Sequence, residues 1–316
     1  MVLATPMAGR QSKWVDTSGH HVSMIPVAPG VTLEVLDWGG TGDSLMLLAG
    51  LNNTGHIFDD FAHQFTDRFR VLAVTRRGFG ASSRPPGDYD TGTLAHDLLA
   101  VADKLSIDRV ILVGHSIAGD EMTKFAGSYP NRVRALVYLD AAYDRTRSPR
   151  ATPAPEQPIT REDTASVERL EARYARVFGW RLPEGEIRGH VVVDSDGRVT
   201  SSPNALDPAV AARILKAVER PAYDKVRCPT LAIYAREEIR STYPNFLAFD
   251  AENKVRAERQ IAASKPFQEA SIAQFRREAR NGRVAVLDAA SHYVFLTNES
   301  EVVRLVRGFL SEVVSR

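Results

Sequence analysis

One stretch constrains the fold of this chain more than any other: Arg109 to Gly119, reading Arg-Val-Ile-Leu-Val-Gly-His-Ser-Ile-Ala-Gly. A short apolar run, Val110 to Val113, meets a small-residue turn, and Asp120 to Tyr129 then reads as a helix. Strand, sharp turn, helix is the setting in which a serine is raised above a sheet. The turn forces Ser116 into a sparsely populated backbone conformation, and Gly114 and Ala118 must be small because strand and helix nearly touch there. The pattern is Gly-x-Ser-x-Ala, which keeps the steric logic of Gly-x-Ser-x-Gly. The Ile117 N–H, at the start of the helix, points toward any oxyanion formed at the serine. An ordinary strand-to-helix turn has the same local pattern, so residues elsewhere must decide.

The rest of the chain alternates in the same way. Strands are expected at His21–Val27, Val31–Trp38, Ser44–Leu48, Arg70–Thr75, Val133–Leu139, Thr230–Tyr234 and Arg283–Leu287. Helices are expected at Ile57–Arg68, Asp90–Leu105, Ala251–Arg280 and Asn298–Val314. Asn298 reads as a cap, with Glu301 completing a capping box. Such alternation implies parallel βαβ units and a sheet covered on both faces. In these sheets the site lies beyond the carboxyl ends of the strands. Ser116, Asn52, Asp140, Glu238 and His292 all sit there, which argues for one pocket. The alternation breaks over Asp144–Arg227, where helices are expected at Ser166–Phe178 and Pro208–Glu219 and a hairpin within Gly189–Ser202. We read residues 1–19 as an N-terminal arm, 20–143 and 228–316 as the core, and 144–227 as a mainly helical cap.

Composition narrows the function. A chain of 316 residues with 44% hydrophobic content can bury one large core. A net charge of +1 and no basic stripe disfavour a nucleic-acid partner. The single cysteine, Cys228, excludes an intramolecular disulfide and a cysteine-rich metal site. No run is long and apolar enough to span a bilayer, and Met1–Val15 lacks a signal-peptide core. The expectation is a cytoplasmic monomer or homodimer, or a secreted or periplasmic protein if a leader precedes this sequence.

A serine hydroxyl needs a base, usually histidine, held by a carboxylate. Of eight histidines, His292 alone follows the last strand and precedes the last helix. Glu238 follows the Thr230 strand, so the order Ser116, Glu238, His292 holds. Glu237 is the neighbour able to take the role, and Asp140, one strand earlier, is the rival. Asp140 also counts, with Asn52, Asn53 and His115, among the residues placed to face substrate. Tyr174, Phe178 and Trp180 either line the pocket or form the core of the cap. Asp120 and Glu121 at the helix start either favour its dipole or meet a cationic substrate group.

The chain resembles the α/β-hydrolase superfamily from about Val31 to Val314. The resemblance rests on Gly114-His115-Ser116-Ile117-Ala118-Gly119, Arg77-Gly78-Phe79-Gly80-Ala81-Ser82, Pro229-Thr230-Leu231-Ala232-Ile233-Tyr234 and Ser291-His292. It implies a mostly parallel eight-stranded sheet flanked by helices, with an inserted cap. It ranks Glu238 above Glu237, counting three residues from Ala235. It implies an oxyanion hole from the N–H groups of Leu51 and Ile117, and no metal or organic cofactor. The family's usual His-Gly after the third strand is Ala49-Gly50 here, and its common Asp before Arg-Gly is Thr75. A serine at the turn disfavours epoxide hydrolases and haloalkane dehalogenases, which attack through aspartate. The resulting expectation is a serine hydrolase of a carboxylic ester or lactone acting through a Ser-His-Glu triad. Amide, carbon–carbon, acyl-transfer or perhydrolysis chemistry, or a low-turnover binding role, are the alternatives.

Overall fold

The structure is a computed structural model that describes residues 14–149, 154–201 and 207–315. Most of the expected N-terminal arm and parts of residues 144–227 therefore lie outside the described residues. The strands are β1 (His21–Ala28), β2 (Val31–Gly39), β3 (Ser44–Leu48), β4 (Arg70–Val74), β5 (Val110–His115), β6 (Val133–Leu139), β7 (Val191–Val193), β8 (Val199–Ser201), β9 (Thr230–Arg236) and β10 (Gly282–Asp288). Eight of them form one sheet in the order β1-β2-β4-β3-β5-β6-β9-β10. Only the β1–β2 and β2–β4 pairs are antiparallel; the others run parallel. β5 lies at the centre, with β3 on one side and β6 on the other.

Both faces are apolar because alternate residues of each central strand are. Leu45, Leu47, Ile111 and Val113 point to one face, packed with Phe58, Phe61, Val302, Val306 and Phe309. Met46, Leu48 and Leu112 point to the other, packed with Leu98, Met122, Phe125 and Phe275. The helices that supply this cover are α1 (Asp59–Ala62), α2 (Thr91–Lys104) and α3 (Ala118–Ser128), then, after the insertion and the short α7 (Ile239–Thr242), α8 (Ala251–Glu278), α9 (Val294–Thr297) and α10 (Glu299–Val314). Residues 144–227 add no strand to the main sheet among those described. They hold α4 (Val167–Phe178), α5 (Glu184–His190), the β7–β8 hairpin and α6 (Pro208–Lys216). No helix among the described residues is long and apolar enough to cross a membrane.

Two local expectations are corrected. The stretch Ile57–Arg68 is not one helix: a tight turn at Gly55–Phe58, α1 and a second tight turn at His63–Phe65 replace it. Its start is tied down from outside, since Gly55 N–H donates to Thr75 Oγ1 at 2.9 Å. Asn298 does not cap α10 through its side chain. It closes α9, donating its N–H to Val294 O at 2.9 Å.

Candidate active site

Among the described residues, five non-glycine residues have positive φ, and four of them follow strand ends on the same rim: Asn52 (69°) after β3, Ser116 (55°) after β5, Asp140 (48°) after β6 and Ala289 (51°) after β10. Such conformations persist only where the surroundings enforce them, and they gather at functional sites. At Ser116 the cause is visible. A Cβ on Gly114 would lie 2.2 Å from Met122 Sδ and 3.0 Å from Ala118 Cβ, and one on Gly119 would lie 2.1 Å from Ala141 O. The chain must turn sharply out of β5 for α3 to pack this close, and the turn carries the serine up.

His292 arrives from the loop after β10. Its Nε2 lies 2.9 Å from Ser116 Oγ, and its Nδ1 lies 2.6 Å from Asp140 Oδ2. A carboxylate only accepts, so Nδ1 carries the proton and Nε2 offers its lone pair to the serine hydroxyl. Partial burial disfavours the charged ring, but the hydrogen bond and charge of Asp140 outweigh it and hold the His292 pKa above its ordinary value.

The carboxylate on His292 is thus Asp140, not Glu238. Glu238 is exposed and stands at the start of α7, where its N–H donates to Ser241 Oγ at 3.0 Å. β6 is the immediate neighbour of β5, and β9 lies between β6 and the β10 strand that precedes His292. Asp140 is only 3% exposed, and its other oxygen is held by two donors: Tyr143 OH at 2.5 Å and Ala235 N–H at 2.9 Å. Burial, then Asp140 beside it, keep the Tyr143 phenol well above its usual pKa, so it stays a donor. Glu237 is half-buried. Burial raises its pKa, while His292 works the other way.

His115 does not face a pocket. It is 1% exposed, and Nε2 donates to the His292 carbonyl at 3.0 Å. Its ring lies 4.5 Å from that of His292 and 4.7 Å from that of Tyr293. Burial, then the neighbouring His292, push its pKa well below the ordinary value, so it is a neutral brace. Asn53 is also engaged at both ends: Nδ2 donates to Glu186 at 2.8 Å, and Oδ1 accepts from Tyr293 OH at 3.0 Å. Asn52 is half-buried, and its Oδ1 has no hydrogen-bond partner among the described residues.

Several supporting residues carry no signal in the sequence. Arg76 donates to the carbonyls of Ala49 (2.8 Å) and Gly50 (3.3 Å) and pairs with the buried Glu121 of α3. Glu186 of α5, fully buried, accepts from Asn53, from Thr54 N–H at 3.1 Å and from Thr54 Oγ1 at 2.5 Å. It thereby latches the inserted segment to the loop after β3. Glu121 and Asp120, singled out near the helix start, have partners inside the chain, Arg76 and Arg145 (2.9 Å from Asp120) respectively. Thr75, in place of the family's aspartate, donates to Glu34 at 2.7 Å.

Tyr174, Phe178 and Trp180 form a stacked ladder, with successive centroids 5.7 Å apart, and Trp180 meets Tyr293 at 4.7 Å. Opposite, Val210 and Ile214 of α6 pack with Phe79 and Ile117, and with the partly exposed Leu51. The inserted segment therefore reaches the serine rim from both sides.

A family model described as alpha/beta hydrolase fold matches residues 43–180. Among curated proteins, 2-(acetamidomethylene)succinate hydrolase of Mesorhizobium japonicum is 29% identical over 220 residues, 68% of this chain and 78% of that protein. The crystal structure of E-2-(acetamidomethylene)succinate hydrolase superposes with a TM-score of 0.67 at 21% identity, covering 92% of this chain and 99% of that one. That of a carboxylesterase from Bacillus subtilis gives 0.59 at 14% identity, over 92% and 91%. With its central parallel sheet, its serine turn after β5 and these likenesses, the chain has the α/β-hydrolase fold.

Proposed function

We propose that the protein is a serine hydrolase that cleaves a small carboxylic ester or lactone through an acyl-enzyme, with Ser116, His292 and Asp140 as its triad. The observation that carries this reading is the unbroken hydrogen-bonded run from Ser116 Oγ through both His292 nitrogens to Asp140. Ser116 Oγ attacks the acyl carbon while His292 Nε2 takes its proton; Asp140 keeps the ring oriented and stabilises the imidazolium. The proton then passes to the leaving alcohol, which departs. Water, deprotonated by His292, releases the acid and returns Ser116. These steps need no cofactor.

The N–H groups of Leu51 and Ile117 serve as the oxyanion hole. Two facts support them. Arg76 holds the Gly50 carbonyl, and a trans peptide then turns the Leu51 N–H the opposite way. Gly119 N–H holds the Ser116 carbonyl at 3.0 Å, which does the same for Ile117. Residues 144–227 act as a cap, in which Trp180 beside Tyr293 and Val210 beside Ile117 form apolar walls for the substrate. Asn52, half-buried at the same rim, is the candidate polar residue beside it.

A second reading is favoured by one finding: the relative matched over two thirds of this chain is named for an acetamidomethylene substrate, an amide. The same triad cleaves amides. The test is a fluorophosphonate probe followed by matched nitrophenyl esters, lactones and anilides. The ester reading predicts covalent labelling of Ser116, ester turnover well above anilide turnover, and a loss of roughly 10⁵–10⁶-fold in Ser116→Ala. Preferential anilide turnover transfers the assignment to the amide reading. Absence of labelling overturns both.

A further inference from the structure

A second cluster of titratable side chains lies outside the serine cleft, around the tight turn that follows β3. Asp16 and His20 come from the segment before β1, and His56 and Asp59 from the turn and α1. One donor atom from each of the four lies within 4.8 Å of all the others. His56 Nδ1 is 3.4 Å from Asp59 Oδ2 and 3.5 Å from Asp16 Oδ2. His20 Nδ1 is 3.2 Å from Asp59 Oδ1, and its Nε2 is 3.4 Å from Asp16 Oδ2.

These separations are long for hydrogen bonds between ionised partners, which run about 2.7–2.9 Å. The atoms also fail to pair by direction. His20 Nδ1, His56 Nδ1 and both oxygens of Asp59 are buried without a hydrogen-bond partner among the described residues, although the side chains of His20 and Asp59 are only 2% and 3% exposed. Leaving a buried carboxylate with long ion pairs to His20 and His56 but no well-formed hydrogen bond is costly. One centre to which all four donate removes the cost. Nitrogen and oxygen ligands at about 2.0–2.2 Å from a tetrahedral ion stand about 3.3–3.6 Å apart; His56 Nδ1 stands at that spacing from one oxygen of each aspartate, and the whole set of four donor atoms lies within 4.8 Å.

We propose that Asp16, His20, His56 and Asp59 form a structural Zn²⁺ site. Two imidazoles among the ligands select against Ca²⁺ and Mg²⁺, which take oxygen. Four protein ligands fill a tetrahedral shell, so the ion holds structure and takes no part in chemistry. The surroundings fit a ligand set held in place from behind. Asp16 Oδ1 accepts from Ser18 N–H at 2.9 Å and from Ser18 Oγ at 2.6 Å, which turns Oδ2 toward the cluster. His56 Nε2 faces Glu34 at 3.7 Å, an outer carboxylate of the kind that orients a metal-bound imidazole. The His20 ring packs edge-on against Trp38, 5.1 Å away. α5 closes over the cluster at Gly185, where a Cβ would stand 2.6 Å from Asp59 Oδ2 and 2.8 Å from His56 Nδ1. The ion would thus staple the segment before β1 to the turn two residues past Thr54, which Glu186 grips from the cap side.

The test uses the full chain, stripped with a chelator and titrated with Zn²⁺ or with Co²⁺ as a visible stand-in. One equivalent should bind, Co²⁺ should show the strong visible absorption of a tetrahedral site, and Zn²⁺ should raise Tm by several degrees, because binding to the folded state alone adds stability. Asp59→Asn and His56→Gln, each checked for folding by circular dichroism, should weaken binding at least ten-fold, while His96→Gln, on an exposed helix face, should not. If either variant fails to fold, His20→Gln takes its place. Absence of stoichiometric binding by the wild-type chain, or wild-type affinity in folded Asp59→Asn or His56→Gln, overturns the proposal and leaves a charge network.

Discussion

The loops after β6 and after β9 present the same feature to a reader of the sequence and opposite ones in the fold. Each follows an apolar strand, each lies between Ser116 and His292 in chain order, and each offers a carboxylate at the rim. In the β6 loop, Asp140 is forced into positive φ, buried, and held by a phenol and a backbone N–H on one oxygen while the other meets His292. In the β9 loop, Glu238 stands exposed at the start of a one-turn helix. The difference teaches that a triad acid is recognised less by its place after a strand than by what holds it. A carboxylate that orients a histidine is steadier with its free oxygen pinned, and in the β6 loop Tyr143 OH and Ala235 N–H pin that of Asp140.

The comparison breaks first under substitution of Asp140. Asp140→Asn should lower kcat by about 10³–10⁴-fold with the fold intact, because an amide can hold the ring in the wrong tautomer; steady-state rates with any turned-over ester, beside circular dichroism, check this. Tyr143→Phe removes one of the two donors on the other Asp140 oxygen and should lower kcat about ten-fold, a charge-assisted hydrogen bond being worth about 1.5–3 kcal/mol with Ala235 N–H still in place.

The pH profile sharpens the contrast. The base must be neutral to accept the serine proton. Since Asp140 raises the His292 pKa, kcat/KM should rise with pH through an apparent pKa above 6.5 and fall away below it. Asp140→Asn should move that limb toward lower pH. Glu237→Gln should move it the same way by less, since Glu237 acts on the His292 ring through charge and hydrogen-bonds only the His292 backbone. An unmoved limb in Asp140→Asn would detach Asp140 from the base. The smallest effect belongs to Glu238→Gln, which should change kcat by less than about two-fold, as an exposed substitution does.

Much of this was legible in the sequence because it is local. The serine turn is written in five consecutive residues, and the strands around it in short apolar runs whose alternate side chains reach both faces of the sheet. His292 could be picked out because only one loop follows the last strand. The acid was not legible, because chain order admits Asp140, Glu237 and Glu238 alike, and contacts from residues far along the chain distinguish Asp140. The same holds for His115 and Asn53: the sequence puts both beside the site, but burial and partners far along the chain turn one into a brace and the other into a bridge. Glu186 and Arg76 were invisible for the same reason. A buried carboxylate 132 residues from its partner Thr54 leaves no pattern of spacing to find.

The most direct measurement is the rate constant for fluorophosphonate labelling of Ser116 in Asp140→Asn and Glu238→Gln, side by side with the wild-type chain at neutral pH. Asp140→Asn should be labelled at least about a hundred-fold more slowly, the ring having lost the partner that sets its tautomer, while Glu238→Gln keeps the wild-type rate. Slow labelling of Glu238→Gln with normal labelling of Asp140→Asn would contradict Asp140 as the acid.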